Sequence, residues 1–368
     1  MDFQLSDEQV LLRDTTRGML SASYDTETRN KVVDTDLGWS REVWKQLADI
    51  GILGLGYDSA ESGQIEIMLV LNEIGRRLAP EPVVHAALGP GTVIVEQGTP
   101  DQRKLVEEVA AGQTLLAFAH SEPGMRSATT AVTTSAVQQG DSWLLSGRKN
   151  PVSAGDCADT LVVSAALPDG GAGLFLVDAA TVARHPYRTF DGQRAAQIDL
   201  DRTPGQPLGD AVDASPAIEN AVIRIQSALC AEAVGAMEEA LRLTTEYLKT
   251  RKQFGVALNT FQTLTQRAAD MYVSLEMARS MSLYAAMSIA DGNVDPVIAA
   301  RAKLQIGRSG RHIAQEAIQL HGGIGMTSEY PVGHYAARLT AIEHTLGSSQ
   351  DQLHVLIDHI GDYDLPRL

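Results

Sequence analysis

Cysteine is nearly absent. Cys157 and Cys230 are the only two in 368 residues, too few for a disulfide framework. Both lie among apolar or small residues and read as reduced packing residues. Positive charge is also scarce: 30 Lys and Arg face 46 Asp and Glu, a net charge of −16. A polyanion would be repelled, which argues against nucleic acid as a partner. No uncharged apolar run reaches the roughly 20 residues that a membrane-spanning helix requires. The opening MDFQLSDEQV has no basic stretch leading into an apolar one, so no secretory signal is expected. The expectation is a cytoplasmic protein without membrane or nucleic-acid contacts. Internal repeats and low-complexity tracts are missing too. What is present is enough apolar residue, 44%, for a sizeable core, and a length that suggests two or three packed units.

Three textures follow one another, giving expected boundaries at 1–114, 115–213 and 214–368. The first is helical. Val43, Trp44, Leu47 and Ile50 recur at helical spacing behind a plausible N-cap, Ser40. A second run, Ile65 to Leu78, is stopped by Pro80 and Pro82. In the second region, short runs rich in Val, Leu, Ser and Thr are separated by Gly, Asp and Pro. Val132–Val137 and Trp143–Leu145 flank a hairpin signal at 138–141, and Thr160–Ala165, Gly173–Val177 and Ala196–Leu200 follow. This reads as a small β domain. The third region predicts long helices over Glu219–Thr250, around the stripe Phe261, Leu264, Ala268, Met271, Leu275 and Ala278, over Asp295–Leu320, and over Tyr335–Ile360. Long amphipathic helices with short connections, one of them at Asp291-Gly292-Asn293, predict an antiparallel four-helix bundle. The fold class is α+β.

Four stretches carry candidate chemistry. Arg251-Lys252-Gln253-Phe254-Gly255 reads alone as a basic helix end with a glycine stop. Gln319 is followed by the paired glycines Gly322 and Gly323, which would let main chain approach a ligand. The other two are Ser121-Glu122-Pro123-Gly124 and the run Gly147 to Gly155. In this order and spacing they resemble the acyl-CoA dehydrogenase family over essentially the whole chain. The resemblance implies an N-terminal helical domain, a middle β domain, a C-terminal four-helix bundle, and FAD as cofactor. It implies that Arg251, Phe254, Gln262, Gln319, Gly322 and Gly323 grip FAD across a subunit interface. Ser121 would bond the pyrimidine edge of the flavin, and Ser153 would stand where a threonine bonds its N5. Pro151 replaces the family's tryptophan. Ser127 matches a serine near CoA, and is the candidate substrate contact.

The family abstracts an α proton from an acyl-CoA thioester with a carboxylate while the β hydrogen leaves as hydride. That carboxylate needs a raised pKa, and the thioester carbonyl needs hydrogen-bond donors. At the usual place of the glutamate this chain has Leu346. The other place used in the family falls near Ile225, again without a carboxylate. Glu343, three residues before Leu346 and able to share its helical face, is the candidate base. Glu232 reads as a buried or interface partner, and His321 and His344 as satisfied hydrogen-bonding histidines. Arg126 and Arg338 are candidates to offset the charge of CoA. The stretch Gly56 to Gln64 is shorter than the family's acyl-channel loop.

The runs LAFAHSEPGMRS, YRTFDGQRAAQIDLD and GHYAARLTAIEHTLG are similar to the small subunit of pimeloyl-CoA dehydrogenases. That similarity implies the base-lacking half of an α2β2 enzyme for a bulky or dicarboxylic acyl-CoA, passing electrons to an electron-transfer flavoprotein or similar acceptor. Two alternatives stay open. One is a homotetramer with a non-standard base such as Glu343. The other is a flavin-free structural subunit.

Overall fold

The computed structural model describes residues 4–58, 63–125, 131–140 and 142–362. The helices are α1 (Asp7–Ser23), α2 (Thr26–Val33), α3 (Arg41–Asp49), α4 (Gln64–Arg77), α5 (Gly89–Gln97), α6 (Pro100–Arg103), α7 (Leu105–Ala110), α8 (Ser215–Thr250), α9 (Gln262–Ala290), α10 (Pro296–His321), α11 (Val332–His344) and α12 (Ser349–Asp358). The strands are β1 (Leu116–Ala119), β2 (Ser135–Gln139), β3 (Ser142–Ser153), β4 (Thr160–Ala166), β5 (Ala172–Asp178), β6 (Ala183–Arg188), β7 (Arg194–Pro207), β8 (Lys252–Gln253) and β9 (Val256–Ala257). The α+β architecture expected from the sequence is the one found. Two compact units result, one of Met1–Lys31, Gln64–Ala79 and Gln226–Leu368, the other of Val32–Gly63 and Pro80–Ile225.

The second of these units holds the sheet. Its strand order is β1-β4-β2-β3-β7-β5, with β6 on β7, and β4 also pairs β5. That last pairing joins β4, β2, β3, β7 and β5 in a ring, so these five strands have neighbours on both sides. Inward residues are small, branched or aromatic: Ala117, Ala119, Leu145, Val163, Phe175 and Ile198 belong to one buried cluster. Ahead of the sheet, Ser40 caps α3 by accepting from the Val43 amide, and Val43, Trp44 and Leu47 are buried, as their spacing predicts.

The first unit is helical. α10 packs on α9, α11 and α12, and α4 on α1 and α9. α4 and α8 cross with their backbones in contact. A Cβ built on Gly75 would overlap the carbonyl oxygen of Glu232, and one on Gly235 that of Asn72. Only glycine allows that approach. α4 ends at Arg77, and Leu78 turns left-handed (φ 49°). Its carbonyl accepts from the buried Arg29 guanidinium at 3.1 Å.

One element differs from expectation. The helix predicted over Tyr335–Ile360 breaks into α11 and α12. Leu346 (φ 56°) and Gly347 (φ 104°) turn the chain left-handed, and Ser348 with Asp351 forms a capping box that starts α12. β6, not foreseen, is an exposed strand without apolar alternation.

Gly235→Ala is expected to lower stability by about 1–3 kcal/mol, because the methyl would force α4 and α8 apart. Gly18→Ala, in α1 with nothing within 4 Å of the new methyl, should instead stabilise by about 0.4–1 kcal/mol. Urea unfolding midpoints of the two variants check both signs.

Candidate functional site

In the sheet-bearing unit, Ser121 follows β1 and is half-buried. Its carbonyl accepts from the Asn150 amide at 2.9 Å, which ties it to the segment of β3 that ends at Ser153. Beneath this tie lies a buried ion pair that sequence reading did not assign. Lys149 Nζ, fully enclosed, donates to Glu122 Oε1 at 2.7 Å, to the His120 carbonyl at 3.1 Å and to Ser164 Oγ at 3.2 Å. Glu122 also accepts from the Thr133 amide and hydroxyl and from the Thr134 amide. Burial works to raise the Glu122 carboxyl, but the bonds from Lys149, Thr133 and Thr134 outweigh it and hold it at about 2. Burial likewise pulls Lys149 down to about 8, against the opposing pull of Glu122. One signal in the sequence pointed here: Lys149 has the same strand parity as buried Leu145. Pro151 is exposed. Ser127, Arg126 and residues 59–62 of the shortened loop lie outside the described residues.

In the helical unit, α8 ends at Thr250 and the RKQFG run folds into the β8–β9 ribbon. The Arg251 amide donates to the Tyr247 carbonyl, and its own carbonyl accepts from the Leu258 amide. Phe254, at φ 54°, is 91% exposed, with Phe261 edge-on at 6.1 Å. Gln262 opens α9 and is exposed. Gln319, Gly322 and Gly323 cluster at the far end of α10, all exposed. Gly322 has φ 67°, and a Cβ on either glycine would meet nothing within 4 Å. The ribbon thus carries Arg251 and Phe254, with Gln262 directly after the Phe261 that Phe254 meets, and the end of α10 carries Gln319, Gly322 and Gly323.

The α11–α12 corner is fixed from several sides. Gln226 Nε2 donates to the Leu346 carbonyl at 2.6 Å. Glu343 is 5% exposed and accepts from Ser349 N at 3.0 Å and Ser349 Oγ at 2.9 Å, with Arg311 Nη2 at 3.5 Å. The buried Lys303 ammonium donates to the carbonyl of Ile342, and its pKa is lowered by desolvation. A Cβ on Gly307 would overlap the Glu343 carboxylate. Arg338 does not face solvent: it is buried and donates from Nε and Nη2 to Glu232 at 2.6 and 2.8 Å. In the other unit, Ile225 is a packing residue against Gly89. Among the described residues no group of His, Cys, Asp and Glu could hold a metal ion, and no helix is long and apolar enough to cross a membrane.

Comparisons with known proteins place this geometry. The N-terminal, middle and C-terminal domains of acyl-CoA dehydrogenases match residues 6–113, 117–200 and 224–361. The short-chain specific acyl-CoA dehydrogenase of Bos taurus mitochondria is 30% identical, across 86% of this chain and 81% of that protein. The corresponding Clostridium acetobutylicum enzyme is 27% identical over 96% of this chain and 97% of its own. Among solved structures, a variant of the steroid ACAD Tcur3481–Tcur3483 superposes with a TM-score of 0.89 at 32% identity, covering 97% of this chain and 98% of that one. The chain belongs to the acyl-CoA dehydrogenase family. It is therefore an oxidoreductase acting on acyl-CoA, with FAD as its cofactor.

The residues present fit that cofactor. Arg242, Arg267, Arg279 and Arg338 each bind carboxylates, whereas Arg251 has no ion pair among the described residues. A guanidinium without an ion pair and an exposed aromatic ring three residues on suit a diphosphate joined to an aromatic base. The open glycine backbone at 322–323 leaves room for close approach.

Glu122→Gln is expected to cost about 3–5 kcal/mol at neutral pH, as for breaking a buried ion pair. The carboxyl sits below its ordinary value, so its stabilisation is present above about 4.5 and is lost as pH falls toward about 2. The gap in unfolding free energy between wild type and variant should close over that interval.

Proposed function

We propose that this chain is the base-lacking subunit of a two-subunit FAD-dependent acyl-CoA dehydrogenase, and that an unlike subunit supplies the catalytic carboxylate. The observation carrying this reading is the α11–α12 corner. The resemblance sets the base at Leu346, whose side chain can neither accept nor donate a proton. The neighbouring carboxylate, Glu343, is engaged by Ser349 and enclosed by Gly307. To act as a base it would have to give up its bonds to Ser349, the first residue of α12. The name of the 32%-identical structure pairs two gene products, which supports an enzyme of unlike subunits.

In this reading Arg251 would hold the pyrophosphate of FAD and Phe254 its adenosine, and Gln262, Gln319, Gly322 and Gly323 would complete the grip. Ser121 and Ser153 face the flavin, held by the Lys149–Glu122 tie beneath them, and Ser127 lies by CoA. FAD, when bound, takes the β hydrogen of the acyl chain as hydride. The substrate class is a bulky or dicarboxylic acyl-CoA, as for the small subunits of pimeloyl-CoA dehydrogenases, and an electron-transfer flavoprotein or similar acceptor would take the electrons. The exposed apolar residues Tyr272, Val273, Met277 and Tyr284 of α9 support burial against another subunit.

The test is the visible spectrum of the gently purified chain, alone and coexpressed with a second dehydrogenase subunit. The expected result is a colourless or weakly coloured chain alone and stoichiometric flavin with activity in the pair. Full flavin and turnover by the chain alone would favour the homotetramer. A pair that stays colourless would favour a structural subunit. Glu343→Gln in the active pair should change kcat by less than about tenfold, whereas loss of a general base costs about 10²–10⁴. A larger drop returns the base to this chain.

A further inference from the structure

Two segments assigned above to the FAD grip, the RKQFG ribbon and the Gly322–Gly323 turn, lie about 70 residues apart in sequence, at the ends of different helices. Between them the structure sets three mutually contacting rings. His321 is buried at the end of α10, and its Nδ1 lies 2.7 Å from the Ala317 carbonyl. That acceptor requires Nδ1 to carry the hydrogen, so in the neutral ring Nε2 accepts from the Tyr330 hydroxyl at 3.1 Å. The Tyr247 ring lies 4.6 Å from His321 at 31°, and Tyr330 lies 4.9 Å from His321 and 6.3 Å from Tyr247.

Two of the three residues adjoin the segments along the chain: Tyr247 lies one turn before the ribbon, and His321 directly precedes Gly322. Tyr247 accepts the Arg251 amide on its carbonyl, and Arg251 in turn holds Leu258, which closes the ribbon. The Gly322 amide donates to the Ile318 carbonyl, and the turn packs back on the end of α10 so closely that a Cβ on Gly325 would lie 3.2 Å from His321 Cβ. We propose that His321 is a positioning residue that fixes the ribbon and the glycine turn to each other through Tyr247 and Tyr330. The inference rests on the FAD-binding reading of those segments and adds that they form one preassembled clamp rather than two independent contacts. Burial lowers the His321 pKa, opposed by the Ala317 and Leu243 carbonyls, which keeps the ring neutral and Nε2 an acceptor. Glu246 and Arg242 are the charged groups beside Tyr330, and they act on it in opposite senses.

Hydrogen exchange followed by mass spectrometry separates a clamp from a local support. In His321→Ala, amides of both the 251–257 ribbon and the 322–326 turn should exchange faster, although the substituted residue lies in α10 and outside the ribbon. Tyr330→Phe should produce the same pattern more weakly, and His321→Gln, which keeps an N–H donor and an acceptor, should restore part of the protection. Faster exchange confined to 317–326 would overturn the proposal. Flavin fluorescence titration of the assembled enzyme adds the functional readout. Losing preorganisation in His321→Ala should raise the Kd for FAD about tenfold. A wild-type assembly without flavin would remove the FAD reading of the segments, while the exchange pattern would still decide whether they are coupled. Wild-type affinity in His321→Ala would show that the coupling serves no cofactor.

Discussion

The backbone contact between α4 and α8 sets the axial register of α8, and much of the helical unit is read off that register. With no Cβ at Gly75 or Gly235, carbonyl oxygens of one helix lie where side chains of the other would be. α8 then delivers a series of groups at fixed heights. Gln226 meets the Leu346 carbonyl, Glu232 meets Arg338, Tyr247 meets His321, and Arg251 leaves the helix end into the ribbon. At about 1.5 Å of rise per residue, sliding α8 by a single residue would misalign all four at once. The close crossing therefore does for a long helix what a tight turn does for a hairpin: it chooses one register.

Both units also bury charge, in different ways. Lys149 and Glu122 neutralise each other inside the sheet domain, and the remaining lone pairs of the carboxylate are filled by Thr133 and Thr134. Lys303 pairs instead with backbone, donating to a carbonyl at the end of α11, where the helix dipole is negative. Desolvating an ion is expensive unless it is fully bonded, and replacing such pairs with apolar residues often leaves stability unchanged or improved. Their value here is directional. Lys149 pins two chain segments that a packed leucine could only press together.

Much of the fold was legible. The Ser40 cap, the α3 stripe and the strands Thr160–Ala166 and Ala172–Asp178 follow from local patterns that tertiary packing reinforces. β6 was not legible, because a strand exposed along most of its length shows no period-two alternation. The break between α11 and α12 had one signal, Gly347, in a run otherwise favourable to helix. The decisive left-handed residue is Leu346, whose conformation is imposed by its surroundings. The α4–α8 contact was illegible as well, since a glycine within a helical pattern reads as a weak position and not as a point of approach. For the site, motif order supplied the exposed residues. The supports beneath them, Lys149 with Glu122 and the three rings around His321, depend on partners far apart in sequence, which no local window connects.

The distribution of lysines has a chemical consequence. Acyl-CoA thioesters acylate free amines, and an amine is more often free when its pKa is low. The two lysines whose pKa burial lowers, Lys149 and Lys303, are thus the ones most reactive in principle, and they are also sealed from solvent. Lys31, Lys45, Lys104, Lys249 and Lys252 are exposed on the surface. A protein that works among reactive thioesters can therefore collect acyl groups on its surface over its lifetime and keep intact the two amines on which its interior depends.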